Sequence, residues 1–405
     1  MNQQTIIIPQ GTVAEMKRYI GRKEFLKEIG ILSFLVATDA HCFWPKNNKE
    51  ERVDIRGHVF KGDAPKSLWK WSIEGFHYTT NGRDVQCMVC PNRCYLTPGD
   101  RSVCRSKVNI GGKLYSLAYG NPCAVHIDPI EKKPLNHFYP ATNVFSIAAA
   151  GCNFRCLNCQ NWEISQRKPE ELNHHELFPS DVVRITKEKG IPSIAYTYSE
   201  PVSYYEYMYD TARLAREEGI KNVWVSNGYI NKKPLENLAR YLDGANVNLK
   251  SFDDDTYRRL NGGRLQPVLN TFKLLHEKGI WFEMTTLVVP GYVDNPEMIK
   301  RMCSWILQEL GPDYPLHFSR FFPRFKLNRL PATPVKTLEL LRDIALQEGI
   351  HYVYLGNVPG HDGYNTYCHT CHKLLIDRRG YTIAEFNIQN GKCKFCETPI
   401  PGRWS

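Results

Sequence analysis

The stretch GCNFRCLNCQNWEIS, residues 151–165, places Cys152, Cys156 and Cys159 within eight positions. A closed structural metal site uses four ligands, and no fourth cysteine follows nearby. Cysteine thiolates also hold iron–sulfur clusters, and three of them around a cube leave one iron without a protein ligand. An open coordination position is what separates a catalytic metal site from a structural one. Gly151 lets the backbone turn sharply ahead of the first thiolate.

The other cysteines group as well. Of fourteen, four fall at 87/90/94/104 and four at 368/371/393/396, while Cys42, Cys123 and Cys303 stand alone. Disulfide frameworks belong to small secreted domains, which a chain of 405 residues is not. Paired C-x2-C knuckles in a large chain read as metal ligands. Cys368, Cys371, Cys393 and Cys396 read as a zinc ribbon, with Zn–S bonds of about 2.3 Å and the strand-like YTIAEFNI between the knuckles. His369 and His372 flank the knuckles, but four thiolates are the simpler set. For Cys87, Cys90, Cys94 and Cys104, zinc and an auxiliary iron–sulfur cluster both fit, with zinc slightly favoured. Pro98-Gly99 makes a turn that brings Cys104 back to them. Cys123 and Cys303 read as buried apolar-like residues.

Alternating elements must position these groups. Strand-like runs fall at 143–149, 193–198, 222–227, 245–250, 281–288, 315–321 and 351–357. Helical patterns separate them, with Ser180 as an N-cap, Gly190 as a stop, and further helices at 203–218, 234–241, 264–278, 295–310 and 333–349. Seven strands alternating with six helices predict parallel βα units, either curled into a barrel or doubly wound. Function then collects at the carboxyl ends of the strands. Chemically capable residues do collect there: the three cysteines, Ser199-Glu200, Ser226-Asn227, Lys250, His317 with Arg320, and Asn357. Asp253-Asp254-Asp255 reads as a helix N-terminus, and the tyrosines of SYYEYMY as helix packing.

The C-x3-C-x2-C spacing after the first strand, with the repeating βα units, resembles the radical S-adenosylmethionine (SAM) superfamily. CNFRCLNCQNWEIS, VQCMVCPNRC, DPIEKKPLNHF, YTYSEP, PLHFSRFFP, YVYLGN and the closing cysteine pairs resemble one subgroup, the radical SAM member of the AmmeMemoRadiSam system, akin to pyruvate formate-lyase activating enzymes. The likeness covers residues 85 to 405. It implies a partial (β/α)6-type radical SAM barrel with cysteine-rich metal-binding modules on its N- and C-terminal sides. It also implies a 4Fe-4S cluster on Cys152, Cys156 and Cys159, whose open iron binds SAM. Reductive cleavage of SAM would give a 5′-deoxyadenosyl radical that abstracts hydrogen from a substrate, such as a partner protein of that system. A flavodoxin or ferredoxin would supply the electron. By the same resemblance, Ser199 and Glu200 grip the SAM amino group. Ser226 and Asn227 lie near its ribose and methionine, and Lys250 and His317 meet its carboxylate.

Two departures accompany the likeness. Asn158 stands where the superfamily usually has an aromatic against the adenine, which leaves Trp162 or Tyr198 for that task. Val225 and Asn248 stand where activating enzymes carry acidic residues around a monovalent cation.

The composition, 42% hydrophobic and 23% charged, is that of a globular protein, and no apolar run approaches a transmembrane span. The net charge of +10 is scattered, which disfavours nucleic acid as a partner. A zinc-ribbon nucleic-acid-binding protein, which leaves the three-cysteine loop and Glu200 unexplained, and a structural or electron-transfer iron–sulfur protein using a fourth ligand are the competing functions. Residues 22–37, RKEFLKEIGILSFLVA, resemble a twin-arginine export signal with Lys23 in place of the second arginine. The oxygen-sensitive chemistry favours the cytoplasm, and that segment leaves export open. The chain is expected to divide into a leader-like segment and polar connector (1–75), a cysteine-rich module (76–140), the barrel (141–358) and a ribbon module (359–405).

Overall fold

The computed structural model describes residues 59–404. The export-like segment and Cys42 lie outside that range. The main sheet has eight strands: β1 (Ala124–Pro129), β2 (Asn143–Ala148), β3 (Ser193–Tyr196), β4 (Lys221–Ser226), β5 (Gly244–Asn248), β6 (Trp281–Val288), β7 (Leu316–Arg320) and β8 (Val353–Gly356). Their spatial order is the chain order from β8 to β1. Every neighbouring pair from β2 to β8 is parallel, and β1 runs antiparallel beside β2.

That order decides between the two architectures left open by periodicity. A doubly wound sheet reverses its strand order at a switch point. Here no reversal occurs, so right-handed crossovers put all six helices on one face and curl the sheet into a partial, open barrel. The crossover helices are α1 (Pro179–Glu188), α2 (Tyr205–Glu217), α3 (Lys232–Ala239), α4 (Leu265–Glu277), α5 (Pro296–Glu309) and α6 (Val335–Glu348). The strands are buried on both faces, which is why SIAY and WFEMTTLV read as apolar runs rather than alternating ones.

Local chemistry sets the helix ends. Asn295 caps α5, its Oδ1 accepting from the backbone N–H of Glu297 at 2.9 Å and of Met298 at 3.2 Å. Asp253 likewise accepts from the Thr256 N–H at 2.7 Å. Ser180 does not cap α1: the helix begins at Pro179, with Phe178 as its N-cap. A proline's fixed φ and missing N–H suit the first helical position, and here that preference outweighs the serine's capping ability. The tyrosines Tyr204, Tyr205 and Tyr207 are fully buried around α2.

The inner face of the curl closes at one end. Phe138 packs against Gly244, where an added Cβ would lie 2.6 Å from its ring. Ile130, Leu135, Val144, Ala195 and Trp281 complete that apolar plug. Above it the inner face is polar. Asn248, Thr285, His317 and Tyr354 lie side by side across four strands, and directly paired residues share a face.

Two small antiparallel sheets precede the main one, formed by Ile73–Glu74, Lys107–Ile110 and Lys113–Ser116, and by Tyr78–Asn81, Asp84–Cys87 and Tyr95–Leu96. After β8, Thr366–Tyr367, Leu374–Arg379 and Thr382–Phe386 form a third, and Ile388–Gln389 with Lys392–Cys393 a hairpin. Among the described residues no helix is long and apolar enough to cross a membrane.

Candidate active site

The three-cysteine loop follows β2 directly. Gly151 takes φ +100°, and an added Cβ would meet the Cys104 carbonyl at 2.3 Å and the Ser106 hydroxyl at 2.4 Å. Only glycine fits there, in conformation and in space. The loop is backed by a π turn, Tyr257–Asn261. Arg155 N–H donates to the Asn261 carbonyl at 2.8 Å, and Leu157 N–H to that of Leu260 at 2.9 Å. Such turns inside helical segments recur at functional sites.

The sulfurs receive hydrogen bonds. Asn261 Nδ2 lies 3.3 Å from Cys156 Sγ, the Phe154 amide 3.3 Å from Cys152 Sγ, and Asn227 Nδ2 3.9 Å from Cys152 Sγ. Burial, with the Glu200 carboxylate nearby, pushes the Cys152 thiol well above its ordinary range. Burial and the neighbouring Cys156 push Cys159 up to about 11. Protonated thiols bind no metal, so loading this site releases protons and relieves the cost of burying the groups.

Glu200 ends the β3 loop and joins it to β4. It is buried. Its Oε1 accepts from the Ser226 hydroxyl at 2.7 Å and the Val202 N–H at 3.1 Å, and its Oε2 from the Asn227 N–H at 2.8 Å. Burial raises its pKa despite these donors. An ionised carboxylate has about four acceptor directions, so one on Oε2 stays free for a further donor. Asn227 Nδ2 also donates to Asn153 Oδ1 at 2.8 Å, tying the β4 end to the cluster loop. Ser199 donates to the Ala149 carbonyl at 2.6 Å. Lys250 is half-buried, its Nζ 3.1 Å from Asn248 Oδ1. Its charge is felt both at Glu200 and at Cys159.

Cys152, Cys156, Cys159, Ser199, Glu200, Ser226, Asn227 and Lys250 thus meet at one rim. His317 does not join them by any hydrogen bond. Its Nε2 lies 2.6 Å from Glu283 Oε2, and its ring stacks on Tyr354 at 5.0 Å between centroids. Glu283 is fully buried and also accepts from the N–H groups of Asn136 and His137. The aromatic candidates are engaged too. Trp162 stacks on Phe325, and the Tyr198 hydroxyl donates to Asp128. Asn158 Oδ1, beside Cys159, is buried without a hydrogen-bond partner. An orphaned acceptor there fits an incoming N–H donor better than it fits a packed core.

The sequence reading missed Asn261, Asn153 and the buried pair Asp128–Lys133 beside Tyr198. Lys133 Nζ lies 2.6 Å from Asp128 Oδ2 and 4.3 Å from the Tyr198 ring. Burial, opposed by Asp128, lowers Lys133 to about 8. The only sequence signal for it was the DPIEKKPLNHF motif itself.

The flanking cysteines lie in two further sites. Cys368 and Cys396 have sulfurs 3.6 Å apart, Cys371 and Cys393 3.7 Å, and all four lie within 4.8 Å of one another. His369 is instead 2.8 Å from the Tyr352 hydroxyl. Cys87, Cys90, Cys94 and Cys104 are buried and line one cavity. Cys303 is buried in α5, and Cys123 bonds the Ala148 carbonyl at 3.4 Å.

Comparison with known proteins gives the family of the chain. The family described as the Radical SAM superfamily matches residues 146–306. An uncharacterized protein of Methanocaldococcus jannaschii is 46% identical over 327 residues, covering 80% of this chain and 97% of that protein. The GTP 3′,8-cyclase of Thermodesulfovibrio yellowstonii is 28% identical over 184 residues, covering 42% of this chain and 53% of the cyclase. The pyruvate formate-lyase-activating enzyme of Clostridium pasteurianum is 24% identical over 161 residues, covering 38% and 66%.

Proposed function

The chain belongs to the radical SAM superfamily and is an enzyme, and from that premise we propose that it abstracts hydrogen from a partner protein in the manner of an activating enzyme. Cys152, Cys156 and Cys159 would hold a 4Fe-4S cluster. Loaded with SAM and given an electron by a flavodoxin- or ferredoxin-type donor, such a cluster would supply the radical chemistry that abstracts hydrogen. The chain's own residues then bind and orient. Asn261, Asn227 and the Phe154 amide stabilise thiolate charge through N–H···S contacts. The free acceptor direction on Glu200 suits the SAM ammonium, a charge-assisted bond between β3 and β4. Lys250 offers a cation to the SAM carboxylate, and Asn158 Oδ1 an acceptor to the adenine amine. Ser199 and Ser226 fix the rim on which these groups stand. His317, buried beside Thr285 and held by Glu283, is assigned to positioning the polar inner face.

The observation that carries this reading is the convergence of three cysteines, Glu200, Asn227 and Lys250 on one rim. The substrate class rests on the kinship with activating enzymes. A partner within the AmmeMemoRadiSam system is the one the motifs favour. The C-terminal cysteines would hold zinc: tetrahedral bonds of about 2.3 Å set sulfurs about 3.8 Å apart, close to the 3.6 and 3.7 Å found.

The test is anaerobic reconstitution, with the spectrum of the reduced cluster taken by electron paramagnetic resonance (EPR) with and without SAM. A signal that shifts with SAM, and 5′-deoxyadenosine that disappears in Cys156→Ala, is the expected result. A fully loaded cluster whose signal ignores SAM, with no nucleoside formed, would overturn the reading.

A further inference from the structure

Cys87, Cys90, Cys94 and Cys104 take no part in the chemistry above. All four are buried and line one cavity with Asn92 and Lys107. Buried together, four thiols offer a ready ligand set, and a metal bound there converts the cost of burying them into binding.

Sulfur spacing separates the two metals that suit four thiolates. A single zinc ion pulls all four sulfurs into mutual contact, about 3.8 Å apart. The C-terminal set has that spacing. Among the described residues it alone brings three or more ligand atoms within 4.8 Å of one another. No three sulfurs of the 87/90/94/104 set do so, nor do those of the cluster loop at 152/156/159. In a cubane each thiolate binds a different iron, and the inorganic core holds the sulfurs apart. The N-terminal set, like the cluster loop, therefore lacks the mutual sulfur contact that the ribbon has. This weighs against the slight preference for zinc drawn from sequence spacing.

The cavity also abuts the cluster loop. The Cys104 carbonyl occupies the place a Cβ on Gly151 would need, one residue before Cys152. Ser106 Oγ donates to the Ala150 carbonyl at 2.8 Å, and Asn92 Nδ2 to that of Asn153 at 2.8 Å. Lys107, buried and ion-paired with Glu206, faces Cys87 and Cys104 with positive charge, which suits the anionic tetrathiolate cluster.

We propose that Cys87, Cys90, Cys94 and Cys104 hold a second 4Fe-4S cluster, seated against the loop of the first. With every iron ligated by protein it has no open position, so it binds neither SAM nor substrate. The assignment stands on its own geometry, while the adjacency rests on the radical SAM reading of the first cluster.

The full-length chain with Cys152, Cys156 and Cys159 all changed to alanine, reconstituted anaerobically, tests it by iron, sulfide and zinc analysis with EPR. The expected result is that about four irons and four sulfides remain per chain, with a reduced-cluster signal indifferent to SAM. A chain without iron that holds about two zinc ions, or one with two irons and two sulfides, would overturn the assignment. The C-terminal zinc, about one per chain, reports that the variant has folded. Conversely, Cys87→Ala with Cys94→Ala should lose about four irons and keep a SAM-sensitive signal. Wild-type iron that vanishes wholly in the triple variant, with a SAM-sensitive wild-type signal, sinks the second cluster and spares the first. Iron retained in the triple variant, with a wild-type signal that ignores SAM, does the reverse.

Discussion

The carboxylate of Glu200 lies 2.7 Å from the hydroxyl of Ser226. That bond, with the Asn227 N–H at 2.8 Å on the other oxygen, staples the β3 loop to the end of β4. Glu200→Gln keeps the shape but turns an amide NH2 toward one of these donors. A buried donor left facing a donor costs roughly 1–3 kcal/mol. The variant should therefore unfold at lower urea and bind SAM at least tenfold more weakly, read by equilibrium dialysis. Unchanged SAM affinity in a folded Glu200→Gln protein would remove Glu200 from the ligand's shell.

Lys250 and His317 should behave differently from each other. Lys250 is half-buried at the rim, so Lys250→Met should leave the unfolding midpoint nearly unmoved. Loss of a charge-assisted bond worth about 1.5–3 kcal/mol weakens SAM binding about 10- to 100-fold. His317→Ala strands the buried Glu283 carboxylate, which costs on the order of 3–5 kcal/mol of stability. Paired unfolding and SAM-binding measurements separate the two. A His317→Ala protein of wild-type stability would show that the Glu283 contact is not what holds it.

The site was legible because its residues obey one rule. In parallel βα units the strand ends share a rim, so Cys152, Glu200, Asn227 and Lys250 could be grouped before any coordinates were known. His317 obeyed the rule in sequence but sits early in β7, at the second residue of a five-residue strand. There it faces Glu283 and Tyr354. Periodicity could not foresee that, since strands buried on both faces lose the alternation that tells inside from outside. β1 was missed because AVHIDP mixes apolar with polar and charged residues, ends in proline and runs antiparallel at the sheet edge. Asn261 reaches Cys156 from over a hundred residues away through an irregular turn, and no local pattern encodes such a contact.

Gly151→Ala is the sharpest test of how the loop is built. The residue has φ +100°, and the new methyl would lie 2.3 Å from a backbone carbonyl that cannot rotate away. Left-handed strain alone costs about 1–3 kcal/mol. The displaced segment carries Cys104 on one side and Cys152 on the other. The variant should lose iron from the first cluster and destabilise the Cys104 site together with it. Full iron loading in Gly151→Ala would mean that the two segments are not in contact.

Acid should weaken the tie between the barrel floor and the C-terminal tail through His137. Its Nδ1–H donates to the Pro401 carbonyl at 2.7 Å, and its Nε2 accepts from the Tyr354 hydroxyl at 2.6 Å. Its backbone carbonyl accepts from the Arg403 N–H at 2.7 Å. Burial lowers the imidazole to about 4; Glu283 opposes this, while Arg378 and His317 add to it. The folded chain thus refuses a proton that the unfolded chain accepts near pH 6.5. Stability from this group is complete above about pH 6.5 and declines as pH falls toward 4, by about 3 kcal/mol over the whole window. The urea midpoint should drop across that range, and the drop should be smaller in His137→Gln, which can donate and accept but does not titrate. An equal drop in both proteins would assign the acid sensitivity to other groups, Glu283 first among them, since its pKa is held below the ordinary carboxylate value and its contribution is lost as pH falls below about 4.5.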